Sequence, residues 1–177
     1  MAEMIINGTF PPMLNQQNLV AILAYDGLCT FEFGIAVEIF ALPRPEFTFP
    51  WYQHRIVSVD AYPMQVAEGI RVVSSFGLES LGEVNTIIIP GWRNRDEKPP
   101  QELLDALSDA YQRGTRLLSI CSGVFVLAAA GLLEGKRATT HWRYTTELAE
   151  RYPSITVDPN VLYVDSGQII TSAGSAA

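Results

Sequence analysis

Three stretches of this chain are apolar almost without interruption over the length of a β-strand: NLVAILAY (18–25), VNTIIIP (84–90) and TRLLSIC (115–121). A strand with one face in water alternates apolar and polar residues. One without that alternation is covered on both faces, as the central strands of a parallel sheet are. Around these runs lie segments with helical spacing: FEFGIAVEIFAL (31–42), PPQELLDALSDAYQRG (99–114) and the Ala-rich SGVFVLAAAGLLEG (122–135). The second of these is opened by prolines and closed by Gly114, as helices commonly are. HRIVSVD (54–60) supplies a further strand, and MQVAEGIRVVSS (64–75) reads as a short hairpin around Glu68-Gly69.

Strands that alternate with helices of this length specify βαβ units. The predicted fold is therefore one α/β domain with a mostly parallel central sheet containing 18–25, 54–60, 84–90 and 115–121, and helices on both faces. RATTHW (137–142) and RYTTELAERYP (143–153) continue the pattern, and the late segment 155–171 reads as antiparallel and peripheral.

Composition narrows the function. With 177 residues, 48% hydrophobic and 18% charged, the chain can bury a sizeable core and is too apolar to be disordered as a whole. Nineteen acidic against twelve basic residues give a net charge of −7, which suits this segment poorly to gripping nucleic-acid phosphates. The two cysteines, Cys29 and Cys121, are too few for a disulfide framework and lack metal-ligand spacing, so neither a metal nor another cofactor is expected. The longest apolar run, Val124 to Leu133, is broken by Gly131 and falls short of the ~20 residues that cross a bilayer. The N-terminus lacks the basic n-region and long h-region of a signal peptide. These features predict a cytoplasmic protein with no membrane partner.

Residues 1–17, with Pro11-Pro12, read as a flexible leader to a domain spanning 18–177. At the other end, GQIITSAGSAA delivers a strand into Ser172, Gly174 and Ser175, residues suited to opening a helix, and the expectation is a fragment of a longer polypeptide.

The residue with most chemical promise is Cys121, at the junction of an apolar strand and a small-residue helix. A side chain at such an elbow is pushed out at the C-terminal edge of the sheet, where α/β proteins bind ligands. The free N–H groups of the next helix, beginning at Ser122, favour a thiolate and could hold an oxyanion or a carboxylate. Gly91, after Pro90, can bring its backbone N–H to the same crevice. Glu32, flanked by two phenylalanines early in the first helix, could share a proton with a nearby thiolate. His141, before Trp142, is a candidate base for a Cys–His pair, although spacing alone does not bring it to Cys121. His54 is assigned no role. Trp51, Trp92 and Trp142 lie near loops, where they could line a pocket or cover a core edge.

The runs CSGVFVLAAAGLLEGKRATTHW (121–142), YDGLCTFEFGIAVEIF (25–40) and IIIPGW (87–92) resemble the ThiJ/PfpI group of the class I glutamine amidotransferase-like superfamily. The branch most similar to them is the N-terminal domain of AraC-family transcriptional regulators of the GlxA/FtrA type. The resemblance covers residues 18–177 in order. It implies a flavodoxin-like three-layer sandwich, with an AraC-type helix-turn-helix domain following Ala177. It also implies Cys121 as the elbow nucleophile and Glu32 as its acidic contact. Gly91 and Ser122 match the oxyanion-hole amides, and His141 the histidine that follows the elbow helix in several members.

Three departures matter. Ser122 stands where the proteases of the group have a histidine, no late His-x-Glu pair follows His141, and bulky Trp92 replaces a second glycine beside the pocket. Protease and amidotransferase activities are therefore not expected. The leading reading is a ligand-sensing and dimerising regulatory domain that binds an unidentified small-molecule effector in a Cys121/Glu32/His141 pocket lined by Gly91, Trp92 and Ser122. In this reading it touches DNA only through a C-terminal domain absent from this chain. The alternative is a cysteine-dependent enzyme, an isonitrile hydratase or a glyoxalase-like protein.

Overall fold

A computed structural model of the chain describes residues 18–61, 63–66 and 69–174. The predicted leader at 1–17, Glu68 of the predicted hairpin turn and Ser175 of the closing segment lie outside the described residues.

Chain order begins with β1 (Leu19–Ala24), α1 (Thr30–Phe40), β2 (Gln53–Ser58), β3 (Met64–Gln65), β4 (Arg71–Val72), a 3-10 turn at Leu78–Glu83, and β5 (Thr86–Ile89). It continues with α2 (Gln101–Gln112), β6 (Arg116–Ile120), a 3-10 turn at Cys121–Gly123 and α3 (Val124–Ala129). The last elements are β7 (Arg137–Ala138), a 3-10 turn at Trp142–Tyr144, α4 (Thr145–Arg151), β8 (Thr156–Val157), β9 (Tyr163–Asp165) and β10 (Ile169–Ser172).

The main sheet has six strands in the order β2-β1-β5-β6-β10-β9, parallel throughout except for β9 against β10. All four strands expected in a parallel sheet are there. Their doubly apolar runs do what such runs must. Val20, Ile22 and Ile88 pack on one face against Ala36, Phe33 and Val37 of α1. Ala21, Leu23, Ile87, Ile89 and Leu117 pack on the other against Leu103, Leu104 and Leu107 of α2 and Val124 to Leu127 of α3. Each large aliphatic side chain buried this way contributes about 1.5–3 kcal/mol.

Without β9, the order is that of flavodoxin-like sheets, in which the chain winds outward in opposite directions from β1 and β5. The loops leaving those two strands therefore diverge and leave a crevice at the C-terminal edge.

The sequence reading needs two corrections of placement. β10, within the segment expected to be antiparallel and peripheral, is an inner strand parallel to β6, with Ile169 and Thr171 buried between β6 and β9; only β9 is antiparallel. Its short, mixed pattern hid this, because Thr171 is a polar residue whose hydroxyl is satisfied inside the protein by the Thr139 N–H. The elbow helix expected over 122–135 is short: one 3-10 turn and then α3, ended at Gly131 (φ +72°). The expected hairpin is a two-residue antiparallel ladder of β3 with β4, closed by Val66 N–H donating to the Ile70 carbonyl.

Candidate functional site

Four loops meet at the switch point between β1 and β5. The first leaves β1. Tyr25 is fully buried there, and its hydroxyl reaches the carbonyl oxygens of Pro90 (2.8 Å) and Gly91 (2.7 Å), fastening the end of β1 to the end of β5. Burial, with the nearby Cys29 and Glu32 as lesser causes, holds its pKa well above the ordinary phenol value, so Tyr25 stays a neutral donor. After a turn at Gly27 (φ +73°), Cys29 occupies the N-cap of α1. Glu32 follows one turn into the helix, 8% exposed and directed at the crevice rather than at solvent.

The second loop leaves β5. A Cβ on Gly91 would stand 3.2 Å from Cys29 Sγ and 3.2 Å from Ser122 Oγ, so glycine is needed here for close approach rather than for its backbone angles. Trp92 is 3% exposed. Its ring packs on Tyr25 with centroids 4.7 Å apart, its indole N–H donates to the Glu97 carbonyl at 3.2 Å, and its carbonyl accepts from Ser122 Oγ at 3.1 Å. The Trp92 ring is thus core, with only its main chain at the crevice wall. Arg93 closes the rim by pairing with Asp60 and Glu97.

The third loop is the elbow itself. Cys121 has φ +56°, the one non-glycine residue in the left-handed region among the described residues, a conformation that costs an L-residue about 1–2 kcal/mol. Gly123 permits the turn to seat on the end of β5, since a Cβ there would overlap the carbonyl oxygens of Ile89 and Pro90. Cys121 is 7% exposed, and the Glu32 carboxylate and the Ser122 N–H both lie near enough to act on its thiol.

At the elbow, burial and the Glu32 charge outweigh the amide effect. The N–H groups at the elbow were expected to favour the thiolate, yet the Cys121 pKa is pushed up to about 11, by burial first and by the Glu32 charge second, against the smaller lowering effect of the Ser122 N–H. A turn of 3-10 helix followed by six α-helical residues offers few aligned dipoles, and a nearby carboxylate outweighs them.

The fourth loop carries Thr140 and His141. Buried Thr140 donates its hydroxyl to the Cys121 carbonyl at 2.8 Å. His141 caps the 3-10 turn that follows: its Nδ1 accepts from the Arg143 N–H at 3.2 Å, so the neutral ring carries its proton on Nε2. Its pKa is lowered by partial burial and then by Arg143, with Glu32 opposing. The imidazole lies between the rings of Trp142 and Tyr144, within the field of Glu32. The fold thus gathers Cys121, Glu32, Gly91 and Ser122 into one crevice and sets His141 beside it.

Two open clefts lie elsewhere, one of about 410 Å³ beside α4 (Thr145, Ala149, Val157) and one of about 590 Å³ at the N-terminal sheet edge (Asn85, Arg113, Gln168). Neither is lined by the groups just described, and the convergence of titratable side chains at Cys121 makes that crevice the candidate site.

The DJ-1/PfpI family profile matches residues 18–177. The chain belongs to the DJ-1/PfpI family. The protein of the cpoL 5′ region of Streptomyces lividans is 35% identical to it over 136 residues, covering 76% of the chain and 95% of that protein. The HTH-type transcriptional regulator CdhR of Pseudomonas aeruginosa is 32% identical over 156 residues, 88% of the chain but only 46% of the regulator. This DJ-1/PfpI domain thus spans under half the length of that relative. Isonitrile hydratase of Pseudomonas putida is 30% identical over 131 residues, 73% of the chain and 56% of the enzyme. Among solved structures, an AraC family transcriptional regulator from Pseudomonas putida shares the fold with a TM-score of 0.74 at 20% identity, covering 88% of this chain and 83% of that one.

Reading the sequence missed three members of the DJ-1/PfpI crevice: Tyr25, Cys29 and Thr140. Position supplied the only signal. Tyr25 and Cys29 sit just past a central strand, and Thr140 adjoins His141. The other tryptophans serve the surface: Trp51 donates its N–H to the Ile39 carbonyl and packs on Tyr52, while exposed Trp142 lies under Arg143.

Proposed function

We propose that this domain is the effector-sensing and self-associating part of an AraC-family transcriptional regulator, working in the cytoplasm. In this reading the crevice between Cys121 and Glu32 holds a small molecule, and a separate domain contacts DNA. The observation that carries it is the similarity to a helix-turn-helix regulator over 88% of the chain. The net charge of −7 agrees, since it leaves phosphate contact to another domain. A thiol with its pKa near 11 is mostly protonated at neutral pH, which suits a binding pocket better than a nucleophile. Self-association is supported by α1, which leaves Phe31 61% exposed, with Ile39 exposed on the same helix.

The second reading, a cysteine-dependent enzyme, is favoured by the paired Cys121 and Glu32 and by the similarity to isonitrile hydratase. One set of assays separates the two. The purified chain is incubated with cyclohexyl isocyanide and with methylglyoxal, with Cys121→Ser as the control, and its mass is followed by light scattering at tens of micromolar. The regulatory reading expects no turnover above the control and a dimer. Turnover abolished by Cys121→Ser, or a monomer throughout, overturns it.

A further inference from the structure

At the end of the sheet opposite the Cys121 crevice, the starts of β1, β5, β6 and β10 surround the cleft of about 590 Å³. That volume lies within the range of small-molecule sites. In a chain of net charge −7, the lining holds two guanidiniums, Arg113 and Arg116, and no carboxylate. The acids closest to it along the chain are engaged: Glu83 pairs with Arg55, and Asp165 accepts the Gly167 N–H.

The polar groups of the cleft divide into those the fold uses and those it leaves over. Asn85 accepts the Leu19 N–H through its side-chain oxygen at 3.0 Å, which leaves its NH2 group to donate elsewhere. Gln168 does the reverse: its NH2 group donates to the Tyr111 and Thr115 carbonyls and covers the negative end of α2. The last carbonyls of α1 are also taken, that of Glu38 by Arg44 and that of Ile39 by Trp51. Neither helix end therefore needs Arg116. Thr86 and Arg116 are register partners two residues before Ile88 and Leu118, and so share the face that packs on α1. Arg55, Arg93, Arg95, Arg137 and Arg151 pair with carboxylates. Arg116 has no such partner among the described residues, and Arg113 donates to the Leu81 carbonyl. Tyr52 closes one side, its ring set edge-on to Phe40 and Trp51.

We propose that this cleft is a second ligand site, which takes a small molecule by its phosphate or carboxylate group. Arg116 and Arg113 hold the anion, and Asn85 and Thr86 supply further donors. A guanidinium presents paired N–H groups that match two oxygens of either anion. The Arg116 N–H donates to the Asn85 carbonyl and the Asn85 N–H to the Leu19 carbonyl, so the ligand would sit where three central strands are already laced together. The far ends of those strands carry the Cys121 crevice, yet the inference does not depend on what that crevice binds or does.

The test titrates the full chain with inorganic phosphate and separately with citrate, at constant ionic strength in chloride. Amide shifts are followed by NMR, and the melting temperature is measured alongside. At least one anion is expected to saturate, to move the amides of Asn85, Thr86, Arg116 and Gln168 while those of Cys121 and Ser122 stay still, and to raise the melting temperature. Saturation by phosphate alone assigns a phosphate ester, and by citrate alone a carboxylate. Arg116→Ala should weaken binding at least tenfold. Asn85→Asp keeps the oxygen that accepts from Leu19 but adds a negative charge, and should abolish binding; circular dichroism checks the fold of each variant. Arg71→Ala, which removes an exposed arginine of β4, should bind as the wild type does. The proposal is overturned if neither anion saturates, if the shifts centre on Cys121 and Ser122, or if Arg71→Ala weakens binding as much as Arg116→Ala.

Discussion

Thr140 Oγ1 donates a 2.8 Å hydrogen bond to the carbonyl oxygen of Cys121, the one non-glycine residue held at positive φ among the described residues. The bond joins the strained elbow to the loop that carries His141, and it is buried at both ends. Removing the hydroxyl leaves a buried carbonyl unpaired, a cost of about 1–3 kcal/mol. Thr140→Val should accordingly lose that much stability in urea unfolding, and Thr140→Ser, which keeps the donor, should lose less than half of it. Equal losses in the two variants would show that packing of the methyl group, rather than the hydrogen bond, supports the turn.

The backbone strain at Cys121 has its own signature. Alanine at this position still meets the left-handed penalty of about 1–2 kcal/mol, whereas glycine escapes most of it. Cys121→Gly should be at least as stable as Cys121→Ala, against the usual order of those two residues. Denaturation midpoints compared at equal m-value decide it.

Glu32 and Cys121 are coupled with a definite sign. Burial raises the Cys121 pKa most, and the charge of the Glu32 carboxylate adds to it. Glu32→Gln removes the negative charge, so the thiol pKa falls from about 11 and more thiolate is present at any given pH below it. The rate of alkylation by iodoacetamide, followed from pH 6 to 11, should shift to lower pH, with about a tenfold gain at pH 8 for each pKa unit recovered. A curve shifted upward would mean that the carboxylate does not face the thiol.

Gly123 has no room for a side chain. Its Cβ would overlap the carbonyl oxygens of Ile89 and Pro90, which are backbone atoms fixed in the central sheet. Gly123→Ala should destabilise the domain by about 3 kcal/mol or prevent folding. Gly34→Ala, where a Cβ meets nothing, is the control and should be neutral or slightly stabilising.

Much of this was legible in the residues, and the limits have physical causes. Strands 1, 5 and 6 announced themselves because burial on both faces leaves an unbroken apolar run. Strand 10 did not, because its buried Thr171 is satisfied by a partner 32 positions away that no local pattern reveals. Cys121 and Glu32 were readable as a pair, since each opens a helix after a central strand. The direction of the Cys121 pKa was not, because it depends on how far two side chains sink below the surface. Cys29 passed as one of two unremarkable cysteines until the fold set it against Gly91.

The Tyr25 hydroxyl, shared between the Pro90 and Gly91 carbonyls, also bears on how the domain reaches its native state. The crevice has no local nucleus: Tyr25, Glu32, Gly91, Cys121 and Thr140 are supplied by stretches scattered over more than a hundred residues. Contacts of such long range form late and slow the approach to the native state. A chain emerging during synthesis, or refolding from urea, could not shield Cys121 until β1, β5 and β6 had paired, since their ends carry the loops that cover it. Protection of that thiol from a fast alkylating reagent would then mark the closing event of folding, trailing the recovery of helical circular dichroism.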